Sequence, residues 1–280
     1  RVGHGVTRHL MGMSKVAIVT GASSGIGLAV ARQWAKRGGR VALVARTRKA
    51  LEEAKAEIDR EAKGEVAEVF ALDVSDIGLL TKLPAQVVER FGRLDVVVNN
   101  AGKNRRGPMD RFPPEELAQI ILTNLTAPIV LTRAAVPLME RGGSVVQVAS
   151  IAGMVPVPHE ATYSASKAGL RAFSRAVAYE TEERGIHVGC VCPGPVDTGF
   201  LGDLAEVPDI VLSQPMVTAD EVAIEVLRCI DERAEEIALP ARSGRLATMG
   251  YLLPSFAKRI RPVLEKRGAR GQGASLGLVV

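Results

Sequence analysis

Tyr163 and Lys167 stand four residues apart in the segment YSASKAGLRAFSRAVAY, whose pattern is helical. Residues at this spacing project from one helix face, about a turn apart. A unit charge about 5 Å away, at an effective dielectric near 20, is worth roughly 3 kcal/mol, or about two pKa units. We therefore expect the ammonium to lower the pKa of the phenol, which could then act as an acid or a base near neutral pH. The same spacing also occurs by chance on many helix surfaces.

Two other polar residues could serve the same site. Ser150 ends the strand-like run VVQVAS, thirteen residues before Tyr163, and a serine there could also be a simple turn residue. Asn124 lies in a helical pattern four residues before Pro128. Proline has no N–H and crowds the carbonyl four residues earlier, so we expect a kinked helix whose freed carbonyl holds a water leading to Lys167. An incidental kink between packed helices is the alternative.

A glycine-rich turn, TGASSGIG, begins at Thr20 between a strand pattern and a helix pattern. Gly21 would allow the tight turn, and Gly25 would let the backbone approach a pyrophosphate. Gly27 would let helix and strand pack closely, with the phosphate charge at the helix N-terminus. Glycine also simply punctuates turns, but the order of strand, glycines and helix favours a dinucleotide site.

The residues after the second strand pattern indicate which dinucleotide. Arg46 and Arg48 follow Ala45, and no acidic residue occurs before Glu52. An acid here would bind a ribose 2′-hydroxyl, whereas arginine fits a 2′-phosphate. Cations at a helix N-terminus oppose its dipole by about 0.3–1 kcal/mol each, a penalty that an anionic ligand would offset. We predict NADP(H) in preference to NAD(H), with Arg46 as the main contact; a solvated basic helix start is the alternative.

Two further strand ends are candidates for the same ligand. Asp73, followed by Val74, could accept a hydrogen bond from an adenine amino group. Asn99, Asn100, Ala101 and Gly102 would close the fourth strand against the cofactor. Both sets can also be explained as ordinary turn chemistry.

The elements that must position these residues alternate along the chain. Seven Val-rich runs are separated by helical patterns; the runs are KVAIVT, RVALVA, EVAEVFAL, LDVVVNN, SVVQVAS, IHVGCVCP and EIALP, beginning at Lys15, Arg40, Glu65, Leu94, Ser144, Ile186 and Glu236. This alternation predicts an α/β fold with a doubly wound, parallel, seven-stranded, Rossmann-like sheet and helices on both faces. Ligands of such sheets bind beyond the carboxyl ends of the strands, where these candidates lie.

Length and composition favour one domain, because 280 residues with 47% hydrophobic content can bury one large core. We expect a disordered leader over residues 1–14 and a catalytic domain over residues 15–245. The weakly periodic residues 198–218 would form a mobile lid within it. Residues 246–280 would be a helical, basic extension.

Charge and cysteine usage limit the partners. The net charge is +5, and residues 258–270 alone carry six cations against one anion, so the body is balanced and argues against nucleic-acid binding. Cys190 and Cys192 would lie on one face of a strand, poorly placed to bridge each other, which indicates a reduced, cytoplasmic setting. No run approaches the roughly 20 apolar residues that span a bilayer, and no metal-binding cluster is visible.

Taken together, these motifs resemble the short-chain dehydrogenase/reductase family over about residues 14–240. The resemblance rests on the glycine turn, Asn99 to Gly102, Asn124, Ser150, the Tyr163 and Lys167 pair, and Pro193-Gly194. It implies a Ser–Tyr–Lys–Asn tetrad in which Lys167 also holds the nicotinamide ribose.

The resemblance further implies cofactor contacts from Ser23, Ser24 and Ile26 in the glycine turn and from Pro193, Gly194, Val196 and Thr198. It also implies homodimers or homotetramers built from the helices bearing Asn124 and Tyr163. One residue departs from the pattern: Ser24 stands where many NADP-linked members carry a basic residue, so phosphate recognition would depend on Arg46.

The expected function is NADPH-dependent reduction of a small carbonyl compound, or oxidation of the matching secondary alcohol. A non-catalytic NADP(H)-binding sensor or scaffold of the same fold is the alternative, and enoyl reduction, epimerisation and dehydration stay open among enzymes. Residues 154–157 (MVPV) could be the wall of an apolar substrate pocket or ordinary packing, and His159 is more often structural than pocket-lining. The tail from Tyr251 could be a lid, an oligomer contact or a peripheral membrane segment, although Pro254 argues against a continuous amphipathic helix.

Overall fold

Seven parallel strands form one sheet in the order β3-β2-β1-β4-β5-β6-β7 in a computed structural model that describes residues 14–202 and 206–275, the last six by backbone alone. The strands are β1 (Val16–Thr20), β2 (Arg40–Ala45), β3 (Ala67–Ala71), β4 (Val96–Asn99), β5 (Ser144–Val148), β6 (His187–Pro193) and β7 (Glu236–Leu239). Each of the seven predicted runs contains one strand, so the predicted sheet is confirmed. Residues 1–13 of the predicted leader, 203–205 of the predicted lid and 276–280 of the extension lie outside the described residues.

Helices cover both faces of this sheet. They are α1 (Gly25–Lys36), α2 (Arg48–Ala62), α3 (Ile77–Phe91), α4 (Pro114–Ile121), α5 (Ala127–Ala135), α6 (Ala161–Thr181), α7 (Asp209–Leu212), α8 (Ala219–Glu232), α9 (Ala241–Leu252) and α10 (Pro254–Ser275). One core packs α1, α2 and α8 on the sheet, and a second core packs α3, α5 and α6 on the other face. This is the predicted doubly wound arrangement.

The strand order reverses between β1 and β4, and side-chain hydrogen bonds join their carboxyl ends. The Thr20 hydroxyl accepts from the backbone N–H of Asn100 and of Ala101, both at 3.0 Å. The Asn100 side chain donates to the Thr20 carbonyl at 2.9 Å. In open α/β sheets ligands bind at this reversal, and here the two strand ends that flank it are fixed to each other.

The glycine turn has the backbone that only glycine adopts readily. Gly21 has φ +67° and Gly25 has φ +52°. A Cβ on Gly27 would lie 2.3 Å from the Gly21 oxygen and 2.6 Å from the Asn100 side-chain nitrogen. Helix α1 therefore approaches the end of β1 more closely than any side chain would permit.

The helix that carries Asn124 differs from the predicted proline kink. Between α4 and α5 the chain makes a wider π-helical turn over Leu122–Thr126, and Pro128 lies at the start of α5. The wider turn rearranges the backbone hydrogen bonds around Asn124, with the Ala127 N–H donating to the Leu122 carbonyl. Such turns often mark functional positions in helices.

The expectation that no run is long and apolar enough to cross a membrane is wrong for Pro114–Leu138. This helical run is long and apolar enough to cross a membrane, by length and composition alone. Its most apolar window has a mean hydropathy of 1.4, and 44% of that window is buried. It packs against α3 and α6 and holds the fully buried Asn124. These contacts account for the buried part of the run, which belongs to the core.

The tail forms two helices that return to the body. Pro254 opens α10, where its missing N–H needs no helical partner, and α9 ends at Leu252, so the expected interruption of a continuous helix is present. Gly268 packs on α7, since a Cβ there would lie 1.7 Å from the Asp209 oxygen. Helix α10 therefore docks on the segment predicted to be a lid.

Replacing Gly27 with Ala is expected to lower the free energy of unfolding by about 1–3 kcal/mol, because the added methyl meets backbone that cannot yield easily. Gly64→Ala is the control, since a Cβ at Gly64 meets nothing within 4 Å; it should change stability by less than about 0.5 kcal/mol. Denaturant unfolding measures both, and equal losses would show that the contact with Gly21 is not what requires glycine.

Candidate active site

One cleft of about 570 Å³ runs along the carboxyl ends of the strands, from the glycine turn to α10. Most of the predicted site residues line it. They are Gly21, Ser23, Ser24, Gly25, Ile26, Arg46, Asp73, Val74, Asn100, Ala101, Gly102, Ser150, Tyr163, Lys167, Pro193, Gly194, Val196 and Thr198.

Four predicted site residues do not line the cleft. Asn99 is buried at the end of β4, where its amide donates to the Thr132 hydroxyl at 3.2 Å. Gly27 lies behind the glycine turn, where it permits the close packing of α1. Asn124 is completely buried next to the cleft. Arg48 is exposed and pairs with Glu52 along α2 at 3.3 Å, so the structure does not bring it to the site as predicted.

The cofactor end of the cleft has the features that a dinucleotide needs. The N-cap residue Ser24 makes no side-chain hydrogen bond to α1, which leaves the first N–H groups of that helix without a side-chain cap. Arg46 lines the rim where β2 ends. The glycine turn and the start of α1 fit a pyrophosphate, and Arg46 fits a ribose phosphate. A dinucleotide would therefore be held between the glycine turn and Arg46.

Asp73 is fixed by its own turn on the same side of the cleft. Burial raises the pKa of its carboxyl, but hydrogen bonds from the Ser75 N–H (2.9 Å) and hydroxyl (2.7 Å) more than offset this, and the pKa lies below its usual value. The charges of Arg46 and Lys103 act in the same direction. The carboxylate is therefore held ionised as an acceptor.

Lys167 is buried beneath the cleft, 4% exposed. Its ammonium donates to the Val148 carbonyl at 2.8 Å and lies 5.8 Å from the centre of the Tyr163 ring. Burial lowers the pKa of Lys167 to about 8, because removal from water disfavours the charged form. Tyr163 and Lys167 are thus brought together as predicted, but burial disfavours the charged form of the ammonium.

The predicted decrease in the pKa of Tyr163 is wrong for this structure. Burial raises the pKa of the phenol well above its usual value, and the negative charge of Glu160 raises it further. A hydrogen bond with Ser150 and the charge of Arg106 act in the opposite direction without reversing the shift. The Lys167 ammonium alone would lower this pKa, but the spacing of Tyr163 and Lys167 in the sequence shows neither the desolvation of the phenol nor the approach of the Glu160 charge.

Asn124 joins the two segments that flank Lys167. Its side-chain oxygen accepts from the Lys103 N–H at 2.8 Å, and its amide donates to the Lys103 carbonyl at 2.9 Å. The same amide donates to the Ser166 hydroxyl at 3.1 Å, which in turn donates to the Tyr163 carbonyl at 2.7 Å. Asn124 therefore fixes the loop after β4 to the helix that bears Tyr163.

A buried ion pair in the cleft was not predicted from the sequence. Arg106 donates to Glu160 at 2.6 Å, and the two side chains are 10% and 4% exposed. Asn104 donates to the same carboxylate at 3.0 Å, and Arg106 also donates to the Leu201 carbonyl at 2.6 Å. The partners are 54 residues apart, so no local spacing could have indicated the pair.

The predicted lid lies over the phenol. The Phe200 ring is 6.1 Å from the Tyr163 ring, centre to centre, and Leu201 is buried. Residues of α9 and α10 also line the cleft, although the sequence did not indicate them individually. They include Leu246, Ala247, Gly250, Ala257, Ile260, Arg261 and Leu264. Among the three possibilities for the tail, the structure thus supports a cover over the cleft.

The remaining candidates lie at or outside the edge of the site. Val155, Pro156 and Val157 line the cleft, whereas Met154 is packed in a core beside it. His159 is exposed and does not line the cleft. Cys190 and Cys192 are free thiols on one strand face with their sulfurs 3.7 Å apart, next to the cleft but not lining it.

Replacing Glu160 with Gln should have two measurable effects. The unfolding free energy should fall by roughly 3–5 kcal/mol, because Arg106 is left buried without its counter-charge. The pKa of Tyr163 should fall, since the charge that raises it is removed, and ultraviolet titration of the phenolate against Tyr163→Phe measures this.

Glu116→Gln is the matched control for that substitution. Glu116 pairs with Arg105 at 2.7 Å, but the two side chains are 40% and 56% exposed. Loss of such an exposed pair should cost less than about 1 kcal/mol and leave the phenol unchanged. Similar effects of the two substitutions would contradict the role given to the buried pair.

Comparison with known proteins agrees with this geometry. The model of the short chain dehydrogenase family matches residues 15–208. The 2-(R)-hydroxypropyl-CoM dehydrogenase of Xanthobacter autotrophicus is 35% identical over 234 residues, which cover 79% of this chain and 93% of that protein. A short chain dehydrogenase from Burkholderia cenocepacia, solved with NADP, has a TM-score of 0.74 and 31% identity, with 81% of this chain and 96% of that one covered. A variant of the actinorhodin polyketide ketoreductase, solved with NADPH, has a TM-score of 0.73 and 36% identity, with 80% and 95% covered. The chain therefore belongs to the short-chain dehydrogenase/reductase family of oxidoreductases.

Proposed function

We propose that this chain is an NADPH-dependent carbonyl reductase that also oxidises the matching secondary alcohol. One observation carries the proposal. Tyr163, Ser150 and Lys167 line the same cleft as the glycine turn and Arg46. A phenol and a nicotinamide bound in that cleft would reach one substrate carbon–oxygen bond from two sides.

The chemistry divides between the cofactor and the chain. Bound NADPH supplies the hydride that adds to the carbonyl carbon. Tyr163 gives its proton to the carbonyl oxygen, and its raised pKa keeps that proton in place at neutral pH until the oxygen becomes basic. Ser150, which hydrogen-bonds the phenol, orients the same oxygen. Carbonyl, hydride and proton together give the alcohol, and the reverse sequence returns both to their donors.

The relatives support this choice of reaction. Their names describe a dehydrogenase of a hydroxypropyl compound and a polyketide ketoreductase, both of which interconvert an alcohol and a carbonyl. Two of the solved structures were obtained with NADP or NADPH. The preference of this chain for NADPH over NADH is supported by Arg46 at the end of β2.

We also propose that the chain forms homo-oligomers in the cytoplasm through the faces of α4, α5 and α6 that the core leaves uncovered. Less than half of the apolar window in Pro114–Leu138 is buried. Tyr179, near the end of α6, is 64% exposed.

Tyr163→Phe should abolish turnover of every ketone with NADPH while leaving NADPH binding nearly unchanged, because only the acidic hydroxyl is removed. Tyr179→Phe is the control, since it makes the same change on the same helix at an exposed position. Steady-state rates and cofactor fluorescence titration measure the two effects. Retained turnover in Tyr163→Phe rejects the proposed acid, and NADPH binding by the unaltered chain without any turnover favours the sensor alternative.

Arg46→Ala should weaken NADPH binding by roughly 10- to 100-fold, the loss expected for a hydrogen bond to a charged group, and leave NADH binding nearly unchanged. Arg48→Ala should change neither, because Arg48 is paired with Glu52 outside the cleft. Fluorescence titrations with both cofactors test this. Equal losses of NADPH and NADH would defeat the phosphate assignment.

A further inference from the structure

The cleft has an apolar wall built by the C-terminal helices. Leu246, Ala247 and Gly250 of α9 line it, together with Ala257, Ile260 and Leu264 of α10. We call these six residues the α9–α10 wall. It lies after residues 15–208, the part of the chain that the family model matches.

The topology separates the wall from the cofactor. Arg46 and Asp73 follow β2 and β3 at one edge of the sheet. Helix α9 follows β7, which is the strand at the opposite edge. Gly250 of the wall lies near Val155, since a Cβ there would be 3.7 Å from a Val155 methyl. Val155 belongs to the segment that starts at Ser150, so the wall borders the substrate side of the cleft.

Helix α10 is amphipathic, with its apolar face towards the cleft and its basic face towards solvent. Ala257, Ile260 and Leu264 follow one another at intervals of three and four residues and face the cleft, as a helical stripe does. Lys258, Arg259, Lys266 and Arg267 are exposed on the rest of its surface. These four cations thus face solvent, whereas the apolar stripe faces the cleft.

The two arginines that line this region are already neutralised. Arg261 pairs with Glu265 at 2.6 Å. Arg106 pairs with Glu160 and also donates to Leu201. The Arg106 guanidinium is thus neutralised inside the cleft, and the Arg261 guanidinium is paired along the exposed surface of α10.

We infer that the substrate is an elongated, uncharged carbonyl compound whose hydrocarbon body lies on the α9–α10 wall while its carbonyl oxygen meets Tyr163. This inference rests on the proposed function and names its substrate class. Reduction takes one hydride from NADPH at the carbonyl carbon and one proton at the oxygen, and gives the secondary alcohol and NADP⁺. Phe200 and Leu201 would close over the hydrocarbon next to the phenol.

A series of straight-chain methyl ketones from 2-butanone to 2-decanone, with NADPH, tests the inference. Each added methylene that reaches the wall should raise kcat/KM about threefold to fourfold, the factor that burial of one methylene gives. The matching ketones with a terminal carboxylate should lose this gain. Binding of the corresponding 2-alkanols to the NADP⁺ complex, measured by calorimetry at a pH that prevents turnover, should show the same dependence on length.

Ile260→Ala and Leu264→Ala should reduce the gain in kcat/KM that each added methylene gives in the longer ketones. Val263→Ala is the matched control, because Val263 lies between them on α10 but is 69% exposed and does not line the cleft. Thermal melting confirms that each variant is folded. The dependence of kcat/KM on ketone length is measured with the unaltered protein, so it tests the inference even where a variant does not fold.

The outcomes separate the two proposals. Turnover of all ketones with no length dependence, or equal effects of Val263→Ala and Ile260→Ala, overturns the apolar substrate and leaves the reductase in place. Absence of turnover with intact NADPH binding overturns the proposed reductase. The dependence of 2-alkanol affinity on chain length then still tests whether the α9–α10 wall binds a hydrocarbon. A preference for the carboxylated ketones also overturns the inference.

Discussion

The hydrogen bonds between Thr20, Asn100 and Ala101 are the constraint on which the site depends. They fix the ends of β1 and β4 to each other where the strand order reverses. The glycine turn continues from one of these strands, and the loop that reaches Lys103 continues from the other. Asn124 then binds the second loop and, through Ser166, the helix of Tyr163. A continuous set of polar contacts therefore relates the cofactor turn to the phenol.

Burial makes this site chemically demanding. Tyr163 and Lys167 are both shielded from water, which raises the pKa of the phenol and lowers that of the ammonium. Both groups are thus biased towards their neutral forms in this structure, in contrast to an ion pair on a helix surface. A neutral phenol next to Ser150 is the form that donates a proton to a carbonyl oxygen, as the reductive direction of the proposed reaction requires.

Local patterns predicted what local forces determine. Alternating apolar runs gave all seven strands, and the glycine turn, Ser150 and the Tyr163 and Lys167 pair were found because short spacings on strands and helices fix their geometry. The Arg106 and Glu160 pair depends on the approach of two loops, and the pKa of Tyr163 depends on burial that only the folded chain defines. Arg48 was misplaced because it begins α2 and pairs with Glu52 one turn along that helix, outside the cleft.

The contact between Arg106 and the Leu201 carbonyl links two events that are usually considered separately. A molecule that enters by displacing residue 201 removes an acceptor from a guanidinium whose counter-ion faces the phenol. Water admitted at that moment would screen both charges. The entrance beside residue 201 and the electric field at the proton donor therefore share one backbone oxygen, because the guanidinium that donates to it also pairs with the carboxylate that raises the pKa of Tyr163.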